Sequence, residues 1–353
     1  MLNAGLIGCG FISKKHLLTL SKLNNMKLIA VSDILESKMK EAVDFYREIT
    51  RTDEAVSWIK DYKRILKDTS IDVVIIAVIS GLHAQIAKEA LHYGKHVILE
   101  KPMALSIKDA DEMILLSEQQ NKQILVCHQM RYRPVMQKLK SLVMTGELGR
   151  PYFGVASIRI SRPTKYYESA SWRGSWALDG GMLVNQGIHL IDLLVWLLGD
   201  VESVYGQVGT TNNSKETEDI AAGIVTFRNK AKGIIEANTI TMPNNIGYTL
   251  SLFCEKGTIC LNGPSLNRIE RCYIVGQSKV EEELRELCTD MNEHEYMYKN
   301  FIDSIETCTV PLIMTAKEGR EALETIFGLY KSAKTGHPTI LPLSSFDSKE
   351  MSE

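Results

Sequence analysis

Apolar and polar positions follow two different rhythms along the chain. Over the first third, short apolar runs alternate with longer amphipathic stretches. Leu2–Ile7, Lys27–Ser32, Asp72–Val78, His96–Leu99 and Gln123–Val126 read as buried strands. Residues 13–23, 35–47, 61–68, 82–93 and 106–120 carry apolar positions at helical spacing between them. Repeated strand–helix units predict a parallel, doubly wound sheet. Arg131–Gly146 reads as a linking helix with Pro134 in its first turn. From Pro151 the rhythm changes to strand-like runs at 152–160, 203–210, 220–228, 231–240, 247–254, 257–262 and 269–275, joined by turn residues, which predict a mainly antiparallel sheet. Helices are expected at 295–308 and 315–335. Residues 277–293 read as a charged, mobile connection and the chain from Ser344 as a loose tail.

One stretch departs from both rhythms. Trp172–Gly199 contains a helix that is apolar on most faces and therefore predicted to be buried. Gly180 and Gly181 give a flexible entry, Asp179 is a candidate N-cap, and Gly199 a stop. Ile188, Ile191, Val195 and Leu198 form one stripe; Asn185, His189, Asp192 and Trp196 form another. Buried polar groups must find partners. The stripe is either an internally hydrogen-bonded core feature or the wall of a site.

The first strand runs into Gly8-Cys9-Gly10-Phe11-Ile12-Ser13, and the second ends at Asp33. In a G-x-G-x-x-(small) turn the first glycine permits the tight turn. The second lets the backbone approach a pyrophosphate, and the helix N-terminus offers free N–H groups to the phosphates. Asp33 stands where a carboxylate accepts the ribose hydroxyls and repels a 2′-phosphate, which predicts NAD over NADP; Lys38, one helical turn on, is the contrary signal. The remaining strand ends carry Ile79–His83, Glu100-Lys101-Pro102 and His128-Gln129. Pro102 restricts Lys101 to extended geometry. Lys101 is either aimed into the ligand cleft or an exposed loop lysine.

Composition narrows the class. At 353 residues the chain is long enough for about two domains of ~150 residues. A net charge of −2 supplies no field for nucleic acid or an anionic membrane, so an anionic substrate needs local cations. Seven scattered cysteines without a CxxC argue for reduced thiols in a cytoplasm and against a structural metal site. No signal-peptide pattern precedes the first strand. The domains expected are 1–128, a dinucleotide-binding Rossmann domain, and 129–353, an α+β substrate-binding and oligomerisation domain, α/β overall.

The G-x-G-x-x-S start, Asp33, Glu100-Lys101-Pro102 and the Asn185-x-x-x-His189 helix together resemble the glucose–fructose oxidoreductase/inositol dehydrogenase/rhizopine-catabolism (Gfo/Idh/MocA) superfamily, over nearly the whole chain. Arg159-x-x-Arg162, Tyr166-Tyr167, Trp172-Arg173-Gly174, Asp179-Gly180-Gly181 and Asn185-Gln186-x-Ile188-His189 look like the UDP-N-acetylglucosaminuronate 3-dehydrogenases of bacterial surface-sugar biosynthesis. The resemblance implies NAD-dependent oxidation of a nucleotide-sugar C3′ hydroxyl, with Lys101 and His189 at the reacting centre. It implies cofactor contacts from Gly8, Gly10, Phe11, Ile12, Asp33, Ser80, His83, Glu100, Lys101, Gln129, Trp172 and Arg173, and no metal. It also implies a homodimer or homotetramer. The superfamily commonly has Asp four residues before the histidine. Asn185 replaces it here, and an amide orients substrate without taking a proton at neutral pH. His83 departs from the usual T-P-x-x-x-H loop.

Hydride loss from a secondary alcohol leaves a hydroxyl proton to be removed. A histidine accepts one at neutral pH, and an ammonium stabilises charge developing on oxygen. His189 is thus the expected base and Lys101 its electrostatic partner; a neutral Lys101 as base is the alternative. For the diphosphate and carboxylate of a UDP-uronate, the arginines of residues 131–173 are the supply, with Arg159 and Tyr166 the first candidates and Asn185 and Gln186 as hydrogen-bonding partners. Two rivals stand beside this reading: another sugar or inositol dehydrogenase of the superfamily, and a non-catalytic NAD-binding regulator on the same fold.

Overall fold

The computed structural model describes every residue except Asp53, Asn213, Cys308 and Glu353. It divides into two compact units. The first comprises Met1–Ala104, Asp109–Gln129 and Asn292–Gly319; the second comprises Leu105–Lys108, Met130–Met291 and Arg320–Glu353. The first unit thus recruits a C-terminal segment as well as the N-terminal alternation.

In the first unit, β1 (Leu2–Ile7), β2 (Met26–Ser32), β3 (Ser57–Trp58), β4 (Val73–Ile76), β5 (His96–Leu99) and β6 (Ile124–Val126) form a parallel sheet in the order β3-β2-β1-β4-β5-β6. Val73 to Ile76 are fully buried, as a run of β-branched residues covered on both faces requires. The helices α1 (Ser13–Leu20), α2 (Glu36–Thr50), α3 (Tyr62–Lys67), α4 (His83–His92) and α5 (Ile107–Gln120) follow the strands. Strand order reverses between β1 and β4, so a ligand crevice opens beyond their carboxyl ends.

In the second unit, α6 (Pro134–Met144), with Pro134 in its first turn, precedes β7 (Pro151–Arg159) and α7 (Thr164–Glu168). A π-helical turn, Leu183–Gly187, then leads into α8 (Ile188–Leu198). β8 (Val201–Gly209), β9 (Ile220–Phe227), β10 (Lys232–Asn238), β11 (Gly247–Cys254), β12 (Gly257–Gly263) and β13 (Arg268–Ile274) join β7 in one sheet. A short strand from the C-terminal region, β14 (Thr339–Ile340), extends its edge, giving β13-β12-β11-β7-β10-β9-β8-β14. Only the β7–β10 pair is parallel. α8 packs against β7. Elsewhere on the sheet, Tyr205, Ile224 and Ile234 are direct cross-strand neighbours and all exposed.

Two expectations are overturned. Residues 277–293 are not a mobile connection: α9 (Val280–Leu287) runs through them, with Val280 and Leu284 buried one turn apart and Arg285 donating to the Ile269 carbonyl. Its dense charge is the solvent face of an amphipathic helix, and three glutamates in its first turn suit the helix dipole. The chain beyond Ser344 is not loose. Phe346 is buried against Phe327, and Ser348 donates to the Trp176 carbonyl. Two helices close the chain as expected, α10 (Glu293–Glu306) and α11 (Ala316–Thr335). No helix among the described residues is long and apolar enough to cross a membrane.

Candidate active site

The carboxyl edge of the parallel sheet is built for a dinucleotide. Gly8 has a φ of +95°, and a Cβ there would lie 2.4 Å from the Ala77 carbonyl, so only glycine passes. At Gly10 a Cβ would meet nothing within 4 Å, which leaves that backbone open to an incoming group. Ser13, in the place of a third glycine, turns its hydroxyl back to the Gly10 carbonyl, 2.6 Å away, and closes the turn. α1 starts without a side-chain cap; the Ser13 and Lys15 N–H groups turn to the Gly10 and Ile12 carbonyls, and the positive end of the helix faces the turn, where it favours a phosphate. Asp33 accepts from the Cys9 N–H at 2.8 Å and from the Leu35 N–H at 2.9 Å, which holds its carboxylate at the end of β2. Phe11, Ile34 and Leu35 stand exposed along the same edge, an apolar surface that suits a flat base. Burial, with the Asp33 charge, pushes the Cys9 thiol up to about 12, so it is no nucleophile.

Behind that edge lies a buried network. The His16 ring on α1 sits between the Tyr298 hydroxyl (2.7 Å) and the Glu100 carboxylate (3.0 Å). Glu100 also accepts from the Lys101 N–H at 3.2 Å. Burial alone would raise the Glu100 carboxyl; His16, helped by Lys101 and His294, holds it down to about 2. Glu100 therefore faces inward and fixes the backbone that carries Lys101. His83 is buried between the carbonyls of Val78 and Pro102, stapling the loops that follow β4 and β5. Ser80, also buried, opens the short 3₁₀ turn before α4. Gln129 begins the 3₁₀ turn after β6.

The second unit gathers a separate cluster. The Asn185 amide donates to the Asp179 carboxylate, whose other oxygen accepts from the Gly174 N–H at 2.8 Å. Asp179 is thus not the expected N-cap: it orients Asn185. Gln186 donates to the Tyr166 hydroxyl at 3.0 Å and accepts from Arg162 at 2.9 Å. Arg173 stacks on Tyr166 and Trp172, with its guanidinium carbon 4.2 and 4.7 Å from the ring centroids. Neither Arg162 nor Arg173 has a carboxylate partner among the described residues, and the Nε of each is buried without a hydrogen bond. Arg159, by contrast, pairs bidentately with Glu236 at 2.6 to 3.2 Å. Burial raises the Tyr166 phenol, so it is a neutral donor.

The helical stripe also splits. The π turn changes its phase, as such turns do at functional sites. Asn185, Gln186 and His189 are half-buried, whereas Asp192 is buried and bidentate to Arg131 at 2.7 and 2.8 Å. Arg131 also lies over the Trp196 ring. Removing one partner strands a buried charge, so Asp192→Asn should lower unfolding free energy by about 3–5 kcal/mol in denaturant titrations; a loss under ~1 kcal/mol would contradict it.

Comparison with known proteins then decides the family. Residues 2–128 match the oxidoreductase family NAD-binding Rossmann fold, and residues 136–260 match the GFO/IDH/MocA C-terminal domain. The chain belongs to the Gfo/Idh/MocA oxidoreductases. The WlbA dehydrogenase of Chromobacterium violaceum, solved with NADH and UDP-GlcNAcA, is 32% identical with a TM-score of 0.89, over 97% of this chain and 96% of that one. The WlbA dehydrogenase of Bordetella pertussis, solved with the same two ligands, is 30% identical with a TM-score of 0.85, over 97% and 99%. The myo-inositol 2-dehydrogenase of Thermotoga maritima is 24% identical over 93% of this chain and 95% of its own. This Gfo/Idh/MocA member is accordingly an NAD-dependent dehydrogenase acting on a CH–OH group.

Proposed function

We propose that this dehydrogenase oxidises the C3′ hydroxyl of UDP-N-acetylglucosaminuronate. The observation that carries the reading is the cluster of Arg162, Arg173, Tyr166 and Gln186. It offers two guanidinium groups without carboxylate partners among the described residues beside neutral donors, in a chain resembling two dehydrogenases solved with that sugar. A diphosphate and a uronate carboxylate are the anions such a cluster suits. Arg159 is a weaker candidate for that role, since Glu236 already neutralises it.

Bound at the Gly8–Ser13 turn and Asp33, NAD supplies the hydride acceptor. His189 takes the hydroxyl proton, and the Lys101 ammonium stabilises charge developing on that oxygen. Asn185, held by Asp179, orients the sugar and cannot compete for the proton. Trp172 and Arg173 serve the cofactor in this reading, with Arg173 also serving the anion. The exposed Tyr205–Ile224–Ile234 row supports a homodimer or homotetramer through the large sheet.

The test is incubation with UDP-N-acetylglucosaminuronate and NAD, following absorbance and product mass; loss of two hydrogens from the sugar is expected. Turnover confined to inositols or free sugars would replace this reading with the one the Thermotoga relative suggests. A second expectation concerns the cofactor. Asp33→Ala should weaken NAD binding and narrow its advantage over NADP, because the ribose hydroxyls lose their acceptor and a 2′-phosphate its repulsion. Calorimetric titration showing NADP bound as tightly as NAD by the unaltered protein would contradict the role of Asp33.

A further inference from the structure

Glu218 lies in a buried segment just before β9, and no step above uses it. Its Oε1 accepts from the Leu183 N–H at 2.8 Å and from the Tyr330 hydroxyl on α11. Leu183 is the first residue of the π turn, which begins without a side-chain cap from its own N-cap residue. The other oxygen, Oε2, has no hydrogen-bond partner among the described residues and fills the space against Gly181. A Cβ on Gly181 would lie 2.7 Å from Oε2, and its φ of +104° excludes other residues as well. A carboxylate from a distant part of the sequence thus takes the place of the missing cap, where the exposed N–H groups of a helix start favour negative charge.

We infer that Glu218 is a positioning residue for the dehydrogenation: its carboxylate pins the first N–H of the π turn and so sets how Asn185, Gln186 and His189 are presented. This rests on the assignment of those three residues to the sugar. Burial pushes the Glu218 carboxyl up to about 7, against the Tyr330 and Leu183 hydrogen bonds that favour its ionised form. The ionisable groups around it are Tyr330 from α11 and Lys215 from its own segment, the latter shared with Asp219 and Asp179.

The experiment compares the full-length protein with Glu218→Gln and Tyr330→Phe by hydrogen exchange of residues 183–187, NAD binding and steady-state kinetics. In Glu218→Gln, exchange across the π turn should quicken about tenfold, and kcat should fall about 10- to 100-fold, as small misplacements of reacting groups do. The Kd for NAD should stay within twofold. Tyr330→Phe, which keeps the Leu183 bond, should shift both readouts less and in the same direction. Unchanged exchange or kcat in Glu218→Gln would overturn the inference. So would joint loss of NAD affinity and of protection throughout the chain, which would mark a general folding role. If the unaltered protein turns over no nucleotide sugar, the functional reading fails, and exchange at the π turn alone then decides whether Glu218 positions it.

Discussion

Lys101→Ala and His189→Ala are each expected to lower kcat by about two to four orders of magnitude, the range for general acid–base and electrostatic groups. Folding and NAD binding should survive both changes. The phosphate turn and Asp33 lie apart from these two side chains in the sequence and have their own hydrogen bonds. The double variant should cost less than the product of the singles, because groups that serve one proton transfer are not additive. The pH profile separates the two assignments. With His189 as base, Lys101→Ala keeps the acid limb of kcat/KM and His189→Ala abolishes it. If neutral Lys101 is the base, the pattern inverts. Near-normal turnover in His189→Ala would remove that residue from the proton transfer.

The second large effect is expected in the substrate. UDP-N-acetylglucosamine lacks the carboxylate and should be oxidised with a kcat/KM about 100-fold or more below that of UDP-N-acetylglucosaminuronate. A guanidinium arranged for a carboxylate and left without it costs a few kcal/mol. Arg162→Ala and Arg173→Ala should each lower kcat/KM on the uronate by ~100-fold. At whichever arginine meets the carboxylate, the loss should shrink to a few-fold on the sugar that lacks it, since the interaction is then already missing. Arg173→Lys should not rescue, because an ammonium gives neither the planar fork nor the stacking on Tyr166 and Trp172. Arg159→Ala should change little. Equal rates on the two nucleotide sugars would end the carboxylate claim, and equal losses on both in both variants would assign the two arginines to the diphosphate.

Local chemistry made much of this protein legible in its sequence. The strand–helix alternation, the Gly8–Ser13 turn, Asp33 at the end of β2 and the change to antiparallel strands after Pro151 all depend on neighbours a few residues apart. The family likeness was legible for the same reason, since its motifs are short and ordered. What tertiary structure decided are the partnerships of charged and polar groups across long separations. Sequence spacing put Asn185, His189 and Asp192 on one stripe, but the Arg131 guanidinium took Asp192 into the core. The choice between Arg159 and Arg162 as a free cation depended on Glu236, which reaches Arg159 only because β10 pairs with β7. The charge of residues 277–293 hid an amphipathic helix whose two buried positions mean nothing until a surface covers them. Asp179 read as a helix cap and serves Asn185; Glu218 carried no local signal and serves the helix start. Periodicity reports which face of an element is buried. It does not report which distant side chain meets that face, and at this site those meetings set which charges are neutralised and which are left for a ligand.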